Sequence, residues 1–223
     1  MNLLALDSAT EACSAALLHE GGSIERYEIL GRGHAERLLP MVDELLTEAG
    51  IGLPALDAIA FGRGPGSFTG LRIAAGITQG LAAGAQLPVL PVSDLAAVAS
   101  AAARFSGKDR ILVCMDARMG QVYWAAFDCR TAIPHALTEE AVANPAEVVP
   151  PGGSTWFGAG HGFAAYPALA ASLGARLAGT APELLPRASD IARLAAVEFA
   201  AGRGLPAAQA LPIYLRNEVV HRR

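Results

Sequence analysis

Lysine is almost missing from this chain. Of 17 basic residues only Lys108 is a lysine, and charged residues make up 17% of the 223 positions. A Walker-type phosphate loop needs a lysine followed by Ser or Thr, and Lys108 lies well away from the chain's glycine loop at residues 62–66. The basic residues are scattered and the net charge is −4. That is a poor footprint for a stand-alone nucleic-acid binder, which should show a basic patch. The basic tail His221-Arg222-Arg223 is too short to carry an interface and reads as a solvated terminus.

Other absences narrow the chemistry. Cys13, Cys114 and Cys129 form no CxxC and leave an odd thiol, the usage of a reduced compartment, so a cytoplasmic protein is expected. The histidines are His19, His34, His135, His161 and His221; no pair has i, i+4 spacing and none adjoins a cysteine pair, so no metal is expected. Ser67 has glycines one before and three after it (Gly66, Gly70), where a nucleophile elbow needs two and two. No catalytic residue is assigned. No basic leader follows Met1, and the longest apolar stretch, Ile73 to Val92, is broken by Gln79, Gln86, Pro88 and Pro91, so neither signal peptide nor membrane span is expected.

What is present is apolar. Hydrophobic residues are 52%, ample for a core in one large domain or two small ones. The stretch that organises the chain runs from Ala58 to Gly84. Ala58–Phe61 is a strand-length apolar run, residues 62–66 form a glycine-rich turn, and a helix starts near Ser67. Strand, glycine loop and helix aim free backbone N–H groups at an anion, which makes Gly64, Gly66 and Ser67 candidate phosphate ligands. The alternative is a tight turn feeding a close-packed helix. Gly76, Gly80 and Gly84 form one smooth stripe, and Leu71, Ala74, Ala75, Thr78, Leu81 and Ala82 cover most of the remaining circumference. A helix apolar nearly all round is expected to be buried nearly all round. Three glycines in register, each costing about 1 kcal/mol, point to a second backbone close by, from a partner or from the protein's own sheet.

Before this stretch, Leu3–Leu6 is a continuous apolar strand ended by Asp7, Ala12–Leu18 a second strand, and Ser23–Leu30 a third, at an edge. Ala35, Leu38, Leu39, Val42, Leu45, Leu46 and Ala49 recur at helical spacing, with Gly50 as the stop and Pro40 marking a start or a bend. After it, Pro88–Val92 is a strand, and Ser93-Asp94 caps a helix over Leu95–Arg104. Ser106–Asp109 is the candidate domain boundary. Ile111–Met115 then repeats the opening pattern: apolar strand, Asp116, turn, second strand Val122–Phe127. The echo suggests internal duplication. Asp7 and Asp116 at two strand ends could hold a metal–phosphate complex or activate water, or simply cap turns. Further on, Thr138–Pro151 is turn-rich, Trp156–Gly158 is strand-like, and helices are expected over Phe163–Leu173 and Asp190–Ala201.

MNLLALDSAT at the start, the segments 34–40, 64–73 and 115–124, and the closing 212–216 together resemble the bacterial TsaB (YeaZ) family, nearly along the whole chain. GPGSFTGLRI is the most specific part, and the likeness is weakest between Thr131 and Ala188. The resemblance implies an α/β, two-lobed, actin-like and sugar-kinase-like (ASKHA) fold with duplicated β-sheet lobes flanked by helices, here drawn as residues 1–105 and 106–223, the C-terminal segment packing back on the N-terminal lobe. It implies a supporting role in making N6-threonylcarbamoyladenosine at position 37 of tRNAs reading ANN codons. TsaD would be the metal-bearing catalytic partner and the ATPase TsaE would join; tRNA would be held through the complex, ATP or ADP would bind only in the complex, and a homodimer would form when the chain is alone. TsaD's His-x-x-x-His metal pair has no counterpart here, and older glycoprotease-type naming finds no nucleophile or metal to support it. The expected partner interface comprises Leu38, Leu39, Val42, Leu45, Phe68, Leu71, Arg72, Ala75, Gly76, Gln79 and Gly80. The alternative function is a stand-alone ATP-binding phosphotransferase or ATPase of the same fold, with Asp7, Asp116 and the glycine loop around nucleotide and Mg²⁺.

Overall fold

The computed structural model describes residues 1–216; the basic tail His221-Arg222-Arg223 lies outside them. In chain order the elements are β1 (Leu3–Asp7), β2 (Ala12–His19), β3 (Gly22–Ile29), α1 (His34–Ala49), β4 (Ala58–Gly62), α2 (Phe68–Ala85), β5 (Val89–Val92) and α3 (Asp94–Ser106). There follow β6 (Arg110–Asp116), β7 (Val122–Asp128), β8 (His135–Ala136), β9 (Ala141–Ala143), β10 (Trp156–Ala159), α4 (Gly162–Ala165), α5 (Pro167–Leu173), β11 (Leu177–Ala181) and α6 (Ala188–Ala200). These form two units, one of Met1–Val98 with Leu185–Pro212, the other of Ala99–Leu184 with the described residues from Ile213 on. A single cut between residues 105 and 106 does not describe them, for a physical reason. α6 packs on β1, β2 and β4, and its residues Ile191, Ala192, Leu194 and Ala195 are buried there. The polar stretch Ser106–Asp109 only ends α3, which starts in the first unit.

The first unit is a five-stranded sheet ordered β3-β2-β1-β4-β5, with β1 antiparallel to β2 and parallel to β4. Every residue of β1 and β4 is buried, as their unbroken apolar sequence requires. α1 and α2 cover one face: Leu4, Leu6, Cys13, Leu17, Ile59 and Phe61 share a core cluster with Leu38, Met41, Leu45 and Ala74. α1 ends at Gly50 (φ 65°), a left-handed residue that glycine adopts without strain. It starts before Pro40 and continues past it, the missing N–H leaving one carbonyl of the first turn without its helical partner.

The second unit repeats the wiring. β6 pairs antiparallel with β7 and parallel with β10, which pairs parallel with β11, while β8 and β9 pair with β7. Asp116 ends β6 as Asp7 ends β1, so the duplication is topological as well as sequential. The helix over Phe163–Leu173 is two short ones, because the residue before Pro167 is pushed out of helical geometry (Tyr166 ψ 89°). The fold is the two-sheet, helix-flanked one of the actin-like class.

Candidate functional site

The glycine loop after β4 has the outline of an anion cradle, but the chain fills it with its own backbone. Ser67 N donates to the Ala9 carbonyl (2.7 Å), Gly70 N to Ser67 Oγ (3.4 Å) and Gly64 N to Asp94 Oδ2 (2.5 Å). Three of the N–H groups that could face a phosphate, those of Gly64, Ser67 and Gly70, are therefore engaged. A Cβ at Gly66 would lie 2.5 Å from the Ala9 carbonyl oxygen, and one at Gly70 would collide with that of Ser8. The Ser8 hydroxyl closes the seam by donating to the Gly70 carbonyl (2.8 Å). His34 Nε2–H donates to the Thr10 carbonyl (3.0 Å) and ties the start of α1 to the same segment. Thus Gly66, Ser67 and Gly70 knit the 8–10 turn to α2, while Gly64 ties the loop to the start of α3.

Asp7 and Asp116 fall in different units, and each is already engaged. Asp7 is fully buried and lies beside Asp94, the first residue of α3, which is equally buried. Gly62 separates them, and any Cβ there would collide with both carboxyls. Burial pushes both carboxyls above the ordinary range; for Asp94 the negative charge of Asp7 adds to the rise. Asp116 accepts from the Tyr166 hydroxyl (2.7 Å) and Arg118 N (2.7 Å), with the Arg118 guanidinium 3.1 Å away. Among the described residues no group of three or more His, Cys, Asp or Glu could hold a metal ion, and no helix is long and apolar enough to cross a membrane.

The expected interface residues divide in two. Leu38, Val42, Leu45, Leu71 and Ala75 lie in the protein's own core and cannot meet a partner, which corrects their assignment. Helical spacing marked an apolar stripe on each helix, but the larger side chains of that stripe belong to the sheet. On the opposite side Leu39 (47% exposed), Phe68 (49%), Arg72, Gly76 and Gly80 are open, and Gln79 is half-buried. Ala83 and Gly84 continue the open strip. The Arg72 guanidinium stacks on Phe68, 3.8 Å from the ring centroid, a cation–π pair on the surface. A helix expected to be buried nearly all round is therefore open along its glycine face. A Cβ built at Gly76, Gly80 or Gly84 meets nothing within 4 Å, so the own-sheet alternative for the stripe is excluded. Asp94 and Gly62 were not marked by the sequence. An Asp after Ser93 looks like a helix cap, and Ser93 Oγ does accept from Ala96 N (3.0 Å).

The family model described as "TsaD: tRNA N6-adenosine threonylcarbamoyltransferase" matches residues 26–219. The tRNA threonylcarbamoyladenosine biosynthesis protein TsaB of Escherichia coli (strain K12) is 44% identical over 223 residues, covering 98% of this chain and 96% of that protein. The chain belongs to the TsaB family. The TsaB of Haemophilus influenzae is 42% identical over 229 residues, covering 98% and 95% of the two chains. The solved structure of YeaZ from Pseudomonas aeruginosa matches with a TM-score of 0.90 at 49% identity, over 96% of this chain and 99% of that one. The (R)-2-hydroxyglutaryl-CoA dehydratase component A of Acidaminococcus fermentans matches with a TM-score of 0.50 at 10% identity, over 94% and 99%, a likeness of fold alone.

Proposed function

We propose that this chain is a non-catalytic subunit in the synthesis of N6-threonylcarbamoyladenosine in tRNA, holding TsaD through the open face of α2. The uncovered strip Phe68, Arg72, Gly76, Gly80, Gly84 carries the reading. Its glycine part, Gly76 to Gly84, lets a second helix approach to backbone distance, and no part of the described chain makes that approach. Leu39, exposed on α1, would add to the contact, which would be of standard size, about 1,600 Å² in total. A second copy would occupy the same face when TsaD is absent. TsaE, tRNA and ATP or ADP would be engaged in the complex, in the cytoplasm.

The test is reconstitution. With TsaD, TsaE, tRNA and threonylcarbamoyl-AMP, modified adenosine is expected only when this chain is added. Full product without it would end the proposal.

A further inference from the structure

Asp7 and Asp94 meet at the end of β1 and the start of α3, both at zero exposure. Asp7 Oδ1 accepts from Ala9 N (3.2 Å) and Asp94 Oδ2 from Gly64 N (2.5 Å). Asp7 Oδ2 and Asp94 Oδ1 are buried with no donor of their own. Two ionised carboxylates so placed would repel each other in a medium that cannot solvate either. A Cβ at Gly62 would collide with Asp94 Oδ1 and Asp7 Oδ1 alike, so the two carboxyls close on one point, and one can donate to the other only if it carries a hydrogen. Gly62 leaves no room for anything larger at that junction.

We propose that Asp7 and Asp94 share one bound proton, carried by Asp94, and that this acid–carboxylate pair clamps the Gly62–Gly66 turn from which α2 starts. Asp94 acts as a positioning residue: one oxygen holds the Gly64 N–H, and the other donates its hydrogen to Asp7. The titratable and charged groups facing the pair are His34 from α1, Cys13 from β2, Tyr27 from β3 and Arg63 from the turn itself. α6, which packs over β1, carries Asp190 with Arg193 at 3.7 Å. All of these stay in place in the variant below, so their titration cancels in the comparison. The proposal stands whether or not α2 is the helix that meets TsaD, since its readouts need no partner.

The native pair keeps a proton that unfolded aspartates release near pH 3.9. Its contribution to stability is therefore full below that pH and falls as pH rises, the unfolding constant growing by about tenfold per pH unit until the native pair itself ionises. Asp94→Asn keeps a donor to Asp7 and an acceptor for Gly64 N, but has no proton to lose. Urea unfolding of both proteins from about pH 5 to about pH 8 should show the wild-type unfolding constant rising relative to that of the variant by up to about tenfold per unit. Parallel curves would overturn the proposal. Infrared spectra of the wild type with isotope-labelled aspartate give a second reading that needs no variant. A protonated carboxyl band at neutral pH is expected, and its absence overturns the proposal equally.

Discussion

Two glycines six positions apart on α2 show how differently one residue type is used. At Gly70 a Cβ would collide with the Ser8 carbonyl, while at Gly76 it would meet nothing. Gly70→Ala should destabilise by about 3 kcal/mol, since the seam between the 8–10 turn and α2 cannot part without losing its hydrogen bonds. Gly76→Ala should stabilise the isolated chain by about 0.5–1 kcal/mol, through lower backbone entropy in the unfolded state. Denaturant midpoints of the two variants check both signs at once. Sequence alone could not separate these positions, because GPGSFTG and the later glycines offer the same absence of a side chain. What differs is whether the backbone of residues 8 and 9, some 60 positions away, lies on top.

At the scale of elements, the open strip of α2 predicts that bulk there spares the fold and damages assembly. Gly76→Leu or Gly80→Leu should leave thermal stability within about 1 kcal/mol and weaken TsaD binding by at least about tenfold, measured by calorimetry on purified proteins. Unchanged affinity would remove this face from the interface. Much of this architecture was legible beforehand. β1, β4 and β6 are continuous apolar runs with a sharp end, and α1 and α2 carry unmistakable helical spacing. The face each helix turns outward was not legible. Spacing shows that Leu38, Val42, Leu45 and Leu71 share a side with other apolar residues, but not whether a sheet or a partner lies against them. The region from residue 131 to 184 was least readable, since its strands β8 and β9 are two and three residues long, too short for alternation to register.

On the scale of the whole molecule, the same strand wiring appears twice, and the aspartate at the end of the first strand is used differently each time. In the first unit Asp7 is sealed against Asp94; in the second Asp116 is held at a half-buried turn by Tyr166 and Arg118. A chain cut after Leu184 should keep every strand of both sheets yet fail to accumulate in soluble form, because α6 is gone from β1, β2 and β4. Soluble yield of the truncated and full-length chains tests this, and equal yields would mean α6 is dispensable. The late return of α6 also imposes an order of events on synthesis. The strands of the first sheet are complete at Val92, but the helix that covers one of their faces starts at Ala188, 188 − 92 = 96 residues later. At about 5–20 residues per second that face stays bare on the nascent chain for roughly 5–20 s. Ser14, whose hydroxyl accepts from Ala188 N, and Glu25, which accepts from Arg187 and from Ser189 N, must wait that long for their partners. A slow ribosome, or a stall between those points, leaves a finished sheet with one wall missing, a natural client for a chaperone.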